Sequence, residues 1–200
     1  MSLLVETIKV KDGEIFNIDY HSGRFNKTRK DLFNTGPAVD LGDKITIPAY
    51  ALKGLFKCRI EYDKHIRKID FNKYELRSIR TLKMIDAGDL EYNHKYINRD
   101  QIDQLFRQKG EYDDILMIKN GEICDTSYAN IIVRADDHIW YTPSTYLLRG
   151  TKREYLLNEG LIREKVITTG NLGKFHELRL INSMIDIEDT DGIPVRSIYF

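Results

Sequence analysis

Lys95 stands in Leu90–Asp100, between an apolar, strand-like run and the start of a helix, with Leu90, Tyr92, Tyr96 and Ile97 around it. Most lysines are solvated. A lysine among apolar neighbours is different, because desolvation lowers an ammonium pKa and favours Schiff-base chemistry. Further on, Gly121–Ile131 reads as a hairpin that delivers one carboxylate, Asp125. Gly150-Thr151-Lys152-Arg153 puts a glycine and a hydroxyl at the opening of a helix. The unpaired N–H groups and positive dipole end found there favour a phosphate, although the same pattern also serves as a plain cap. Arg24, in His21-Ser22-Gly23-Arg24, offers a guanidinium for the same anion. Asn182-Ser183 ends a strand with a hydroxyl that either meets a phosphate or closes an ordinary turn.

Other chemistry is poorly represented. Cys58 and Cys124 lack a CxxC spacing and read as buried, reduced thiols, which points to a cytoplasmic protein. His94 has no metal-ligand spacing around it, so no metal is expected. The 31% of charged residues sum to a net charge of zero with both signs spread along the chain, so no nucleic-acid partner is expected. Lacking any apolar run near membrane length, the sequence gives no sign of a span. A small-molecule substrate is the expected partner.

The elements that must position these residues read as α+β. Leu3–Val10 and Glu14–Phe16 form a hairpin about Asp12-Gly13, and Asp19 caps a helix from Tyr20 to Phe33 that Asn34–Pro37 ends. Lys57–Tyr62 alternates as a strand, and Tyr74–Met84 alternates as a second, long one. Ile85–Asp89 is the expected linker, dividing a small domain over 1–85 from a larger one over 89–200 that carries Lys95. In the second domain, Asn98 or Asp100 caps a short helix to Phe106. Asp114–Lys119 is a buried strand turned by Asn120-Gly121, and 131–133 pairs with 138–142. Glu154–Asn158 is a helix, 162–168 and 177–181 are strands, and the tail from Met184 is a hairpin about Asp191-Gly192.

Read in order, these stretches resemble the class IV aminotransferases, the fold-type IV pyridoxal-phosphate enzymes. Val5-Glu6-Thr7 with Asp12-Gly13 is similar to the family's F-E-T…D-G opening, and His21–Phe25 to its H-x-x-R-L. His94–Arg99 resembles the L-K-T-x-N-R of aminodeoxychorismate lyase. Gly121–Ile131 resembles G-x-V-x-E-x-x-x-x-N-I-F, and Tyr141-Thr142-Pro143 with Leu148–Arg153 resembles Y-T-P…L-x-G-[IV]-[TM]-R.

The resemblance implies two small domains of antiparallel sheet with helices, pyridoxal 5'-phosphate at the domain interface, and a homodimer. It implies that Lys95 carries the cofactor and then shuttles a proton, that Asp125 pairs with the ring nitrogen, and that Arg24, Thr151, Lys152 and Ser183 hold the phosphate. Asp125 stands where the family usually has Glu, Lys152 where it has an apolar or hydroxyl residue, and the segment usually ahead of F-E-T is expected to be absent or rebuilt. The implied activity is that of aminodeoxychorismate lyase, which releases pyruvate to leave 4-aminobenzoate, a folate precursor. The alternatives are a branched-chain or D-amino-acid aminotransferase, or a degenerate member without catalysis.

Overall fold

The computed structural model describes residues 3–200; residues 1 and 2 of the expected first domain lie outside them. Strands β1 (Leu4–Lys11), β2 (Glu14–Ile15), β3 (Leu55–Tyr62) and β4 (Ile66–Lys73) form one antiparallel sheet in the order β2-β1-β3-β4. Asp12 and Gly13 take positive φ, as a two-residue hairpin turn requires. Helix α1 (Ile18–Phe33) packs on this sheet, with Phe25 against Leu4, Ile8, Ile60 and Tyr62. Its N-cap is Asn17, left-handed and without a side-chain cap bond; the expected cap, Asp19, lies inside the first turn, where its charge suits the positive helix end. Asn34, also left-handed, closes the helix ahead of Gly36.

The remaining strands are β5 (Leu82–Asp86), β6 (Asp114–Lys119), β7 (Glu122–Thr126), β8 (Asn130–Arg134), β9 (Trp140–Pro143), β10 (Arg163–Lys165), β11 (Glu177–Ile181), β12 (Ile193–Pro194) and β13 (Ile198–Tyr199). They make two mixed sheets, β13-β5-β6-β7 and β10-β9-β8-β11-β12. One core serves both, built from Leu82, Leu116, Ile123, Ile131, Val133, Leu178 and Leu180. Helix α2 (Asp100–Phe106) follows the Lys95 stretch. Helix α3 (Thr151–Asn158) sets Leu156 against Ile132, Ile162 and Ile181.

Contacts divide the chain into two units: up to Glu75 together with His94–Asn98, and Leu76–Asn93 together with Arg99–Phe200. The break after Glu75 lies ahead of the expected linker, because Leu82–Asp86 pairs in parallel with Asp114–Ile118 and so is bound into the second unit. Residues 74–81 form no strand, although their alternation suggested one. The strand omitted from that reading is β4, paired residue by residue with β3. The tail is no hairpin either: β12 pairs with β11, while β13 pairs in parallel with β5. Lys95 also changes unit. Val5 N–H donates to Lys95 O at 2.9 Å, Ile97 N–H donates to Leu3 O at 3.0 Å, and Leu4 bridges Tyr96. The segment 95–97 therefore lies along β1 as a short extra strand.

Candidate functional site

Two groups of the expected residues emerge, one in each unit. In the first, β1 carries Glu6 inward and α1 brings His21 and Arg24 to it. Arg24 Nε donates to Glu6 Oε1 at 2.8 Å and its Nη2 to Oε2 at 2.6 Å, while His21 Nδ1 lies 2.6 Å from Oε2. Glu6 and His21 are fully buried. Burial pushes the Glu6 pKa up, but the Arg24 charge and the His21 and Arg24 hydrogen bonds outweigh it and hold the carboxyl at about 2. Burial holds the His21 pKa below its usual value against the pull of Glu6, and the charges of Arg24 and Lys95 push the same way. Lys95 therefore lies within electrostatic reach of this buried cluster. Arg24, expected on a phosphate, already shares two N–H groups with Glu6. No role was read for Glu6 or His21 in the sequence; the signal was there, as the one carboxylate in the strand Leu4–Val10.

In the second unit, β7 and β8 deliver Asp125 and Asn130 to the two ends of one turn. Asn130 Nδ2 donates to Asp125 Oδ1 at 2.8 Å and to Leu148 O at 3.0 Å. The N–H groups of Leu147 and Leu148 donate to Asp125 Oδ2 at 3.0 and 3.1 Å. Asp125 is 6% exposed. Burial raises its pKa to about 6 against these three donors and the charge of Arg153. All three donors are neutral, so the carboxylate is oriented without being paired to a cation by any of them.

Asn130 also explains Gly150. A Cβ on Gly150 would fall 1.9 Å from Asn130 Oδ1, although its φ of −71° suits any residue. Glycine is needed here for space. Gly150 is the N-cap of α3, so Thr151, Lys152 and Arg153 form the first turn of the helix, all of them buried. We expect Gly150→Ala to displace Asn130 and break its bond to Asp125. The cost should be about 2–4 kcal/mol from overpacking and the lost bond. That lowers the melting temperature by about 5–15 °C in a chain of this size. Shrinking residue 130 in an Asn130→Ser, Gly150→Ala double variant should recover part of it. A melting temperature within a degree of wild type for the single variant would refute this account.

The Lys152 ammonium is ion-paired with Asp186, so this extra cation is engaged by the chain itself. Ser183 lies three residues ahead of Asp186 in the loop after β11, next to Asn182, whose Nδ2 donates to Tyr128 O at 3.4 Å. Asp125 is tied to the start of α3 through Asn130 and Gly150, while Lys152 is tied to the loop after β11 through Asp186. Of the arginines that alternate in sequence, Arg59 pairs with Glu61, while Arg77 and Arg80 line an open groove of about 540 Å³ with Glu188 and Asp189. Among the described residues no helix is long and apolar enough to cross a membrane.

Residues 61–198 match the family model for amino-transferase class IV. An uncharacterized protein of Haemophilus influenzae is 36% identical over 183 residues, 90% of this chain and 97% of that protein. A crystal structure of a candidate 4-amino-4-deoxychorismate lyase from Haemophilus somnus superposes with a TM-score of 0.86 at 31% identity, covering 92% of this chain and 97% of that one. A hypothetical aminotransferase from Mycobacterium tuberculosis, in a PLP-bound form, has a TM-score of 0.76 at 15% identity, covering 98% and 81%; at that identity it shows the fold alone. The α+β architecture is the one these proteins share. The chain belongs to the class IV aminotransferase family. It is an enzyme, built on the fold of the fold-type IV pyridoxal-phosphate enzymes.

Proposed function

We propose that this enzyme is a pyridoxal-phosphate-dependent lyase that converts 4-amino-4-deoxychorismate to 4-aminobenzoate and pyruvate. The observation that carries the lyase is the likeness to the candidate lyase of Haemophilus somnus over nearly the full length of both chains. The lyase-like Lys95-Tyr96-Ile97-Asn98-Arg99 agrees with it.

The residues present suit this cofactor. Asp125 is a buried carboxylate oriented by neutral donors, and a protonated ring nitrogen is the cationic partner that would offset its burial. Gly150 opens a helix of eight residues and leaves room for Asn130, which holds Asp125, so the start of that helix and the carboxylate are fixed together. Lys95 would carry the cofactor, and Arg24, Thr151, Lys152 and Ser183 would hold its phosphate. Because Glu6 and Asp186 engage the Arg24 and Lys152 side chains, the main-chain N–H groups of Thr151 and Lys152 would carry most of that contact.

When bound, pyridoxal phosphate supplies an electron sink conjugated to the substrate's amino nitrogen. In this reading Lys95 Nζ takes the proton from the ring carbon bearing that nitrogen. The ring C–O bond on the neighbouring carbon would then break, its electron pair leaving on the enolpyruvate oxygen, so that the ring becomes aromatic and the released enolate takes up a proton at its methylene carbon to give pyruvate. Asp125 stays ionised and holds a proton on the ring nitrogen, and the phosphate contacts fix the orientation.

Mixing pure protein with 4-amino-4-deoxychorismate tests this. Pyruvate and 4-aminobenzoate formed without an amino acceptor support the lyase. Turnover that requires 2-oxoglutarate and yields glutamate would make the protein an aminotransferase instead. A colourless protein that stays colourless with added cofactor would remove both readings and leave a degenerate member. We also expect a homodimer, which sedimentation velocity checks; a monomer at micromolar concentration would contradict it.

A further inference from the structure

The turn that presents Asp125 is held from outside by charged residues that the proposed chemistry does not use. The turn closes itself: Thr126 N–H donates to Ala129 O at 2.9 Å, and Ala129 N–H donates to Thr126 Oγ1 at 3.2 Å. That would suffice for a loop. Yet Arg99 Nη2 donates to the carbonyl of Ser127, at the tip of the turn. Arg99 Nε is buried without a hydrogen-bond partner among the described residues, and the Asp103 carboxylate is 3.8 Å from Nη2.

Asp114 faces Ser127 as well. It is 1% exposed, and its Oδ1 accepts the Ile115 N–H at 2.7 Å. Its Oδ2 is buried without a partner of ordinary hydrogen-bond geometry among the described residues. Burial pushes its pKa up, and the hydroxyl and N–H of Ser127 lie near enough to pull it back down, as does the Arg77 charge. Arg77 in turn lies 5.3 Å from the centre of the Tyr128 ring. Ser127 and Tyr128 are therefore gripped by Arg99, Asp114 and Arg77. Burying the Asp114 carboxyl and the Arg99 Nε this incompletely satisfied costs stability, so neither group accounts for itself as a fold stabiliser.

We propose that Arg99, with Asp114 facing the same Ser127, is a positioning residue for Asp125, fixing the turn and so the direction in which the carboxylate points. This rests on the reading of Asp125 as the partner of the cofactor ring nitrogen. Two positions separate Ser127 from Asp125, so a loosened carbonyl at 127 frees the strand end that carries the carboxylate. Arg99 also lies four residues beyond Lys95, which makes it the point where the lysine-bearing segment returns to the second unit.

The test uses the full chain with Arg99→Met, which keeps the packed stem but removes the donors, Arg99→Lys, which restores one, and Asp103→Asn as a control. Hydrogen exchange without added cofactor should speed up about ten-fold at the amides of 126–130 in Arg99→Met. In the cofactor-loaded protein, Arg99→Met should shift the pH midpoint of the visible band by at least half a unit and weaken cofactor binding about ten-fold. Arg99→Lys should lie between Arg99→Met and wild type in both measurements, and Asp103→Asn should match wild type. If Arg99→Met does not fold, the Lys variant decides by the same two measurements. Unchanged exchange overturns the proposal, and so does faster exchange with an unchanged band. A wild type with no visible band would instead mark failure of the cofactor reading itself, and the positioning role would fall with it.

Discussion

Lys95→Ala is expected to fold normally and to lose turnover by at least about a thousand-fold. The fold should survive because the segment is held through its main chain: Val5 N–H donates to Lys95 O, and Ile97 N–H to Leu3 O. The side chain is half-buried and adds a charge that a fully buried His21 feels, so removing it should cost little stability. What is lost is the amine that carries the cofactor and moves the proton. Borohydride treatment of wild type should attach the cofactor's mass to the peptide containing residue 95, and the variant should show none. Two lysines, Lys152 and Lys9, are buried among the described residues, and neither competes well. Lys152 is ion-paired with Asp186, and Lys9 has its ammonium 5.8 Å from the centre of the Phe16 ring. Trapped cofactor on another peptide, or activity within ten-fold of wild type, would remove Lys95 from its proposed role.

Asp125→Asn should separate two effects that are joined in the wild type. Burial lifts the folded pKa to about 6, above the ordinary aspartate value, so the folded state holds its proton more tightly than the unfolded chain. The contribution to stability is then greatest below pH 4, falls as pH rises through 4 to 6, and is flat above. A shift of about two units corresponds to a swing on the order of 3 kcal/mol. Asparagine has no such titration, so the slope between pH 4 and 6 in the cofactor-free protein should flatten. It would also set an amide N–H₂ against the Asn130 amide or the Leu147 and Leu148 N–H groups, costing about 1–3 kcal/mol. At pH 7 the two effects oppose each other, and the melting temperature should move little. Activity should still fall by about 10²–10³, because the ring nitrogen loses the charge that keeps it protonated. In the wild type, cofactor retention should strengthen as pH rises through 6, since the ionised carboxylate is the form that pairs. A variant that keeps the wild-type slope between pH 4 and 6, or most of its activity, would show that Asp125 is not the titrating or pairing group.

How much of this was legible in the sequence differs from element to element. Lys57–Tyr62 shows its strand because buried and half-buried side chains alternate along it, and Asp114–Lys119 because buried side chains dominate it. Strand β4 is half exposed, and its apolar residues Ile66, Ile69 and Phe71 do not hold a period of two, so its signal is weak. Residues 74–80 show the converse. They alternate, but 76–80 line a groove and none of them belongs to a strand. The positions of Lys95 and Asp125 could be read from local pattern and family resemblance. The partners that orient them could not. Glu6 meets Arg24 across 18 residues, Asp125 meets Leu148 across 23, and Arg99 meets Ser127 across 28. Such pairings depend on the tertiary fold, which no window of sequence contains.

The way residues 95–97 lie along β1 also decides how this protein can be cut. Strand β2 pairs with β1 only at Val10 and Lys11, so on that side the start of β1 is covered by 95–97. A fragment ending at Glu75 would therefore carry a bare sheet edge at Leu3–Val5, apolar and ready to pair with another chain. Such a fragment should aggregate when expressed alone. A soluble version would need the Lys95 peptide grafted back onto it, which makes a stretch remote in sequence part of the first unit's own solubility.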